Sequence, residues 1–347
     1  MHSVNTDSMS VDARPASSRR IPLALLWGLG VCLAATLLSW AGARATFSST
    51  RPHLLILGDS VLTTYCIAPG SRLEEVLQRK LGSRWSVQSF AESASRMGDY
   101  YPQLAKAELL GFAPDTAVIQ LNPAKLEREW DVGPGLNGDG RELMWVPLDA
   151  EGARYVNLLS PHYKDVFLTR KASLLFGFFE VFWSAWDVHV GAPSKRRKMR
   201  AEPRALRAAR ARKHAIEMGQ RWSKNVELLT YERFRSSSEV RHLDFLLDAL
   251  NRRHAKSILL LPPWPNPSLI DVAFTDRGRA ALALLRAHTA RYASERKVTL
   301  LTLDDPEVLK KLAPSDWDDL DHPRSPRSFA LMADAIVGAV QPRTGVP

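Results

Sequence analysis

Residues 51–61 read Arg51-Pro52-His53-Leu54-Leu55-Ile56-Leu57-Gly58-Asp59-Ser60-Val61, and this stretch decides the fold. Leu54–Leu57 is an unbroken apolar run that stops at Gly58-Asp59-Ser60. A run this short, apolar on both faces and closed by glycine, predicts a buried parallel strand. Ser60 then stands at the strand's carboxyl end, facing the crevice where open α/β sheets keep their ligands. Gly58 permits a sharp exit, and the N-terminus of the following helix can aim N–H groups at a negative oxygen. By itself Gly-Asp-Ser is also ordinary turn chemistry.

The far end of the chain supplies what a serine lacks. Residues 316–335 place Asp319 three positions before His322, with Pro323 next and a final helix after it. A serine hydroxyl is a weak nucleophile until a base takes its proton, and the base needs a carboxylate to fix its tautomer. Ser60, His322 and Asp319 fill the three roles, with Asp318 and Asp321 as local rivals to Asp319. One tight turn between Asp319 and His322 favours Asp319.

A Gly-Asp-Ser-Val motif near the start and Asp-x-x-His-Pro near the end resemble the SGNH (GDSL-type) hydrolase superfamily, from Arg51 to about Val340 apart from a central insertion. The resemblance implies a flavodoxin-like three-layer sandwich on a parallel five-stranded sheet, and serine acyl chemistry without metal or cofactor. Its second sequence block normally carries a glycine whose N–H faces the oxyanion. In residues 91–101 Gly98 is the only glycine, and Ser93 or Ser95 could supply the N–H instead. The third block, normally Gly-x-Asn-Asp, reads Gln120-Leu121-Asn122-Pro123-Ala124 here. One register keeps Asn122 as an oxyanion donor beside the Ser60 N–H; the ungapped register from Pro114 puts Asn122 in the glycine slot and Ala124 in the asparagine slot. Losing one such donor typically costs about two to three powers of ten in rate.

The 347 residues suffice for one large domain or two modest ones, and the composition is that of a globular protein. Two cysteines, Cys32 and Cys66, exclude a disulfide framework and any zinc pattern; Cys66 reads as a small core residue. Residues 1–20 read as a flexible cytoplasmic tail ending in Arg19-Arg20. From Ile21 to Ala43 there is no charge, a length that crosses a bilayer as a helix, with Trp27 and Trp40 near its ends. A cleaved signal peptide with Ala43-Arg44-Ala45 as its site is the competing reading; the apolar stretch is long for one. Both export the rest, and a single-pass anchor in the bacterial inner membrane leaves the domain periplasmic or extracellular.

The remaining elements alternate. Helical spacing predicts helices over 73–81, 240–253 and 280–293; apolar runs predict strands at 85–90, 116–121, 257–261 and 298–303. Pro262-Pro263-Trp264-Pro265 gives a rigid exit from the fourth strand, where Trp264 either lines a pocket or packs. The hydrolase-like domain is thus split over 51–130 and 241–342, around a helical, basic insertion at 131–240. Within the insertion, 174–190 is strongly aromatic and 195–213 carries ten Lys and Arg, nearly all of the chain's net charge of +10. These segments read as a solvated basic helix beside a buried one, as a membrane-surface element spanning 174–213, or as a groove for an anionic polysaccharide. Nucleic acid does not suit an exported, anchored domain.

An anchor, a large insertion and an altered third block are similar to superfamily members that work beside membrane-bound O-acyltransferases in polysaccharide O-acylation. That likeness implies transfer of an acyl group from a donor to an envelope polysaccharide. The alternatives are an exported esterase, deacetylase or lipase using water, and a catalytically silent scaffold on the same fold.

Overall fold

The computed structural model describes residues 23–47, 50–62, 70–92, 94–122, 140–172, 230–317, 319–320, 322–323 and 325–341, with 209, 211–213, 215–217 and 219–220. Cys66, Ser93, Asp318, Asp321, the aromatic stretch 174–190 and nearly all of the basic run lie outside the described residues.

Five strands form one parallel sheet: β1 (His53–Leu57), β2 (Ser86–Ser89), β3 (Thr116–Gln120), β4 (Lys256–Leu261) and β5 (Thr299–Thr302), in the order β2-β1-β3-β4-β5. This is the flavodoxin-like order that the sequence resemblance implied. All five residues of β1 are buried because both faces of the sheet are covered. Leu54 and Ile56 enter one core with Val118, Ile258 and Leu260; Leu55 and Leu57 enter the other with Ala117, Ile119 and Leu259.

Ahead of the sheet runs α1 (Leu23–Phe47), where the sequence predicts the anchor. Trp27, Val31, Leu37 and Leu38 are exposed along it, whereas Ala43 and Phe47 are buried against the domain. Among the described residues no helix is long and apolar enough to cross a membrane; the side chains of residues 23–26, 28, 29 and 32 lie outside that set.

The first crossover is α2 (Leu73–Leu81), with the predicted bounds. Leu73, Val76, Leu77 and Leu81 make one buried stripe, and the Glu75 carboxylate accepts from the Arg72 and Gly70 N–H groups at its N-terminus. On the opposite face lies α3 (Met97–Leu109), a helix absent from the elements read off the sequence. Pro102, lacking an N–H, leaves the Gly98 carbonyl without its usual helical donor. The Tyr155 hydroxyl takes that place at 2.6 Å.

Tyr155 belongs to α4 (Ala150–Leu158), which with α5 (Pro161–Ala172) is a described part of the insertion. Tyr155, Tyr163 and Phe167 join the same core as Leu55 and Leu57, so this part of the insertion packs into the main domain. The layers are completed by α6 (Ser238–Arg252), α7 (Asp276–Arg296) and α8 (Pro326–Val340), α8 packing beside α2. Caps at Thr275 and Lys297 extend α7 beyond the predicted 280–293.

Candidate active site

The site is built where β1 ends. Gly58 has no room for a side chain: a Cβ there would lie 2.5 Å from Gln120 Oε1 and 2.9 Å from Leu62 Cδ1. The chain then turns through Asp59–Leu62, closed by Leu62 N–H donating to the Asp59 carbonyl at 3.1 Å. Ser60 sits inside this turn, half-buried between neighbours that are fully buried.

Asp59 holds the turn from beneath. Its carboxylate accepts from Val61 N–H at 2.9 Å and from Gln120 Nε2 at 2.7 Å on one oxygen, and from Asn122 Nδ2 at 2.6 Å on the other. Its own N–H donates back to Gln120 Oε1 at 2.9 Å. A buried carboxylate is costly unless donors surround it, and the two polar residues at the end of β3 supply them. The Gln120 side chain fills the space that Gly58 leaves.

Ser60 Oγ lies 2.9 Å from His322 Nε2, across a sequence separation of 262. His322 Nδ1 is 2.9 and 3.0 Å from the two Asp319 oxygens, and Asp319 Oδ1 also accepts the His322 N–H at 2.9 Å. A carboxylate only accepts, so the ring proton resides on Nδ1 and Nε2 is left to accept from the serine hydroxyl. The three-residue offset thus works twice, fixing both ring and backbone.

Two further contacts hold this loop. Trp317 and Pro323 pair as an isolated antiparallel bridge, closing 317–323 on itself. Asn266, buried at the exit of β4, donates its side-chain amide to the Asp319 carbonyl at 3.1 Å and its N–H to the Leu320 carbonyl at 2.8 Å. Sequence reasoning placed a rigid Pro-rich exit there but missed Asn266; its position directly after Pro262-Pro263-Trp264-Pro265 was the available signal. Trp264 is a packing residue, its ring edge-on to Phe274 at 5.9 Å.

Gly98 is the second residue of α3, and its carbonyl accepts from the Tyr155 hydroxyl at 2.6 Å. The Ser95 N–H is used in the 92–95 turn, donating to the Glu92 carbonyl at 3.2 Å, and Ser95 Oγ accepts from Gln103 Nε2 at 2.9 Å. Ala94 holds φ +67° in that turn, a conformation that glycine adopts more readily. Asn122 donates an amide N–H to Asp59 at 2.6 Å. Among the described residues no three His, Cys, Asp or Glu side chains converge as a metal site requires.

No family model matches the chain and no curated protein matches it. Solved structures do. A carbohydrate acetylesterase family member from Sinorhizobium meliloti is 12% identical, covering 83% of this chain and 97% of that one at a TM-score of 0.40. A member of the lipolytic G-D-S-L family from Veillonella parvula is 9% identical over 84% and 98%, TM-score 0.38. A GDSL-like lipase from Bacteroides thetaiotaomicron is 11% identical over 88% and 97%, TM-score 0.37. Several of the solved structures similar to this chain are described as GDSL-family or SGNH proteins. Within the SGNH pattern this chain keeps the motifs at both ends and departs in the third block, where Gln120 and Asn122 both turn toward Asp59.

Proposed function

We infer that this chain is an exported serine esterase of the SGNH type, removing O-acyl groups from a carbohydrate of the cell envelope. The observation that carries the reading is the 2.9 Å contact between Ser60 Oγ and His322 Nε2, backed by Asp319 on the opposite ring nitrogen. In the first step Ser60 Oγ attacks the acyl carbonyl as its proton passes to His322 Nε2. Asp319 stabilises the imidazolium, and the oxyanion is met by the Ser60 N–H and by Asn122, the donor that the resemblance implies. His322 then protonates the departing alkoxide, leaving the acyl group on Ser60. Water, deprotonated by the same nitrogen, attacks the acyl-serine and releases the acid.

A second reading replaces that water with a sugar hydroxyl and makes the enzyme an O-acyltransferase to envelope polysaccharide, partnered by a membrane-bound acyltransferase. It draws support from α1, whose exposed apolar side chains suit an inner-membrane anchor with the domain outside. A fluorophosphonate probe tests the shared chemistry: the wild-type chain should label and Ser60→Ala should not. Equal labelling of both, or none of the wild type, would overturn it. Acetate release from an acetylated glycan, measured with and without a deacetylated glycan as acceptor, separates the two readings.

A further inference from the structure

The way α1 meets the domain bears on where the substrate must be. All strands of a parallel sheet start at one edge and end at the other. Gly58–Ser60, Asn122 and Asn266 follow the strand ends and build the candidate site at that edge. The contacts of α1 lie at the opposite edge. Trp40 Nε1 donates to the Leu109 carbonyl at 2.9 Å, at the last residue of α3. Arg44 passes so close to Gly111 that a Cβ there would sit 3.1 Å from Arg44 Cα, and Gly111 holds φ +97°. Phe47 packs edge-on against Phe112 at 5.2 Å, and Phe112 stacks on His53, the first residue of β1.

Between the two edges lies the length of the sheet. At about 3.3 Å per residue the five residues of β1 span roughly 17 Å. α3 gives the same scale: its Gln103 reaches Ser95 and the Gly58 carbonyl near the site, while Leu109 meets α1. Only residues 48–52 separate α1 from β1, and Trp40, Ala43 and Phe47 are already seated on the domain. The helix is therefore a docked foot. Trp40 faces Leu109 and Thr36 is buried as well, so the part of α1 ahead of its docked contacts is Leu23–Ala35, about 20 Å at 1.5 Å per residue.

We propose that α1 holds the domain with its Ser60–His322 edge turned away from the bilayer, so that the ester substrate is a water-borne glycan and not a membrane lipid. The proposal rests on the exported, anchored reading above and narrows its substrate class. A phospholipid ester in the same membrane would have to leave the headgroup layer and cross the height of the domain to reach Ser60.

The test uses the full chain in vesicles of phosphatidylethanolamine and phosphatidylglycerol carrying an acceptor dye on the headgroup. Donor dyes are placed by Thr50→Cys, beside the foot, and by Thr302→Cys, at the far end of β5, with Cys32 and Cys66 replaced by alanine; both sites are exposed. Energy transfer should be strong from residue 50 and several-fold weaker from residue 302. Equal transfer, stronger transfer from residue 302, or failure of the chain to insert would each overturn the orientation. A parallel assay offers acetylated soluble glycan and vesicle phospholipid; faster cleavage of the phospholipid would overturn the substrate class. Neither dye requires a working site, so failure of Ser60 to take a fluorophosphonate would sink the esterase reading while leaving the orientation measured.

Discussion

Gln120 and Asp59 hold each other by two hydrogen bonds, one to the backbone N–H and one to the carboxylate of the residue before Ser60. Neither residue is exposed, so the pair sets the turn that presents the serine without competition from water. Gln120→Met keeps the volume and removes both bonds. Stability should fall by about 2–3 kcal/mol, because a buried carboxylate oxygen and N–H lose partners. A nucleophile displaced by a fraction of an ångström should lose tenfold to a hundredfold in kcat while KM changes little. Steady-state kinetics beside thermal unfolding would check this; an unchanged kcat in a folded variant would mean the turn holds itself.

Asp319 acts on both the ring and the backbone of His322. In Asp319→Asn the side-chain oxygen can still accept the His322 N–H, and the Asn266 contacts to residues 319 and 320 use main-chain carbonyls. The loop should therefore keep its shape. The amide can now donate to Nδ1, which favours the tautomer with the proton on Nε2, facing Ser60. A loss of about four powers of ten in kcat is expected with little change in melting temperature. A drop below tenfold would assign the carboxylate role to another residue.

What the sequence made legible was whatever local chemistry dictates. The Leu54–Leu57 run reads as a strand because it is buried on both faces, and the stripe Leu73, Val76, Leu77 and Leu81 bounds α2 correctly. The Asp319–His322 offset is local too. What stayed hidden depends on distant partners. Gly98 and Pro102 argue against a helix at 97–109, and that helix exists because Glu239 accepts the Met97 N–H and Tyr155 serves the Gly98 carbonyl. The contacts of the third block were hidden for the same reason: nothing near Gln120 or Asn122 in sequence says that both amides face Asp59.

His242 is fully buried on α6 beside the Tyr155 ring, and burial, aided by Arg241, pushes its pKa down from 6.5 to about 4. Above pH 6.5 the imidazole is neutral in both folded and unfolded chains and costs nothing. As pH falls from about 6.5 to about 4, the unfolded chain takes up a proton that the folded one refuses, so stability is lost across that window. The shift corresponds to at most about 3 kcal/mol. His242→Leu should flatten this part of the stability curve relative to wild type in urea melts between pH 4 and 7. Parallel curves would mean that His242 takes up a proton in the folded state as well.

Tyr155 and Pro102 offer a sharper test of how the insertion is joined to the fold. The Tyr155 hydroxyl donates at 2.6 Å to the carbonyl that Pro102 cannot serve, and the tyrosine is buried. Tyr155→Phe removes only that donor and leaves a buried carbonyl unsatisfied, at a cost of about 1–3 kcal/mol. Pro102→Ala restores a main-chain N–H able to reach the Gly98 carbonyl four residues back. In that background the hydroxyl is redundant, so Tyr155→Phe should cost markedly less there than in the wild-type chain. A double-mutant cycle by denaturant unfolding reads the difference directly. Additive effects would mean that the two residues act independently, and that α3 tolerates its proline without help from the insertion.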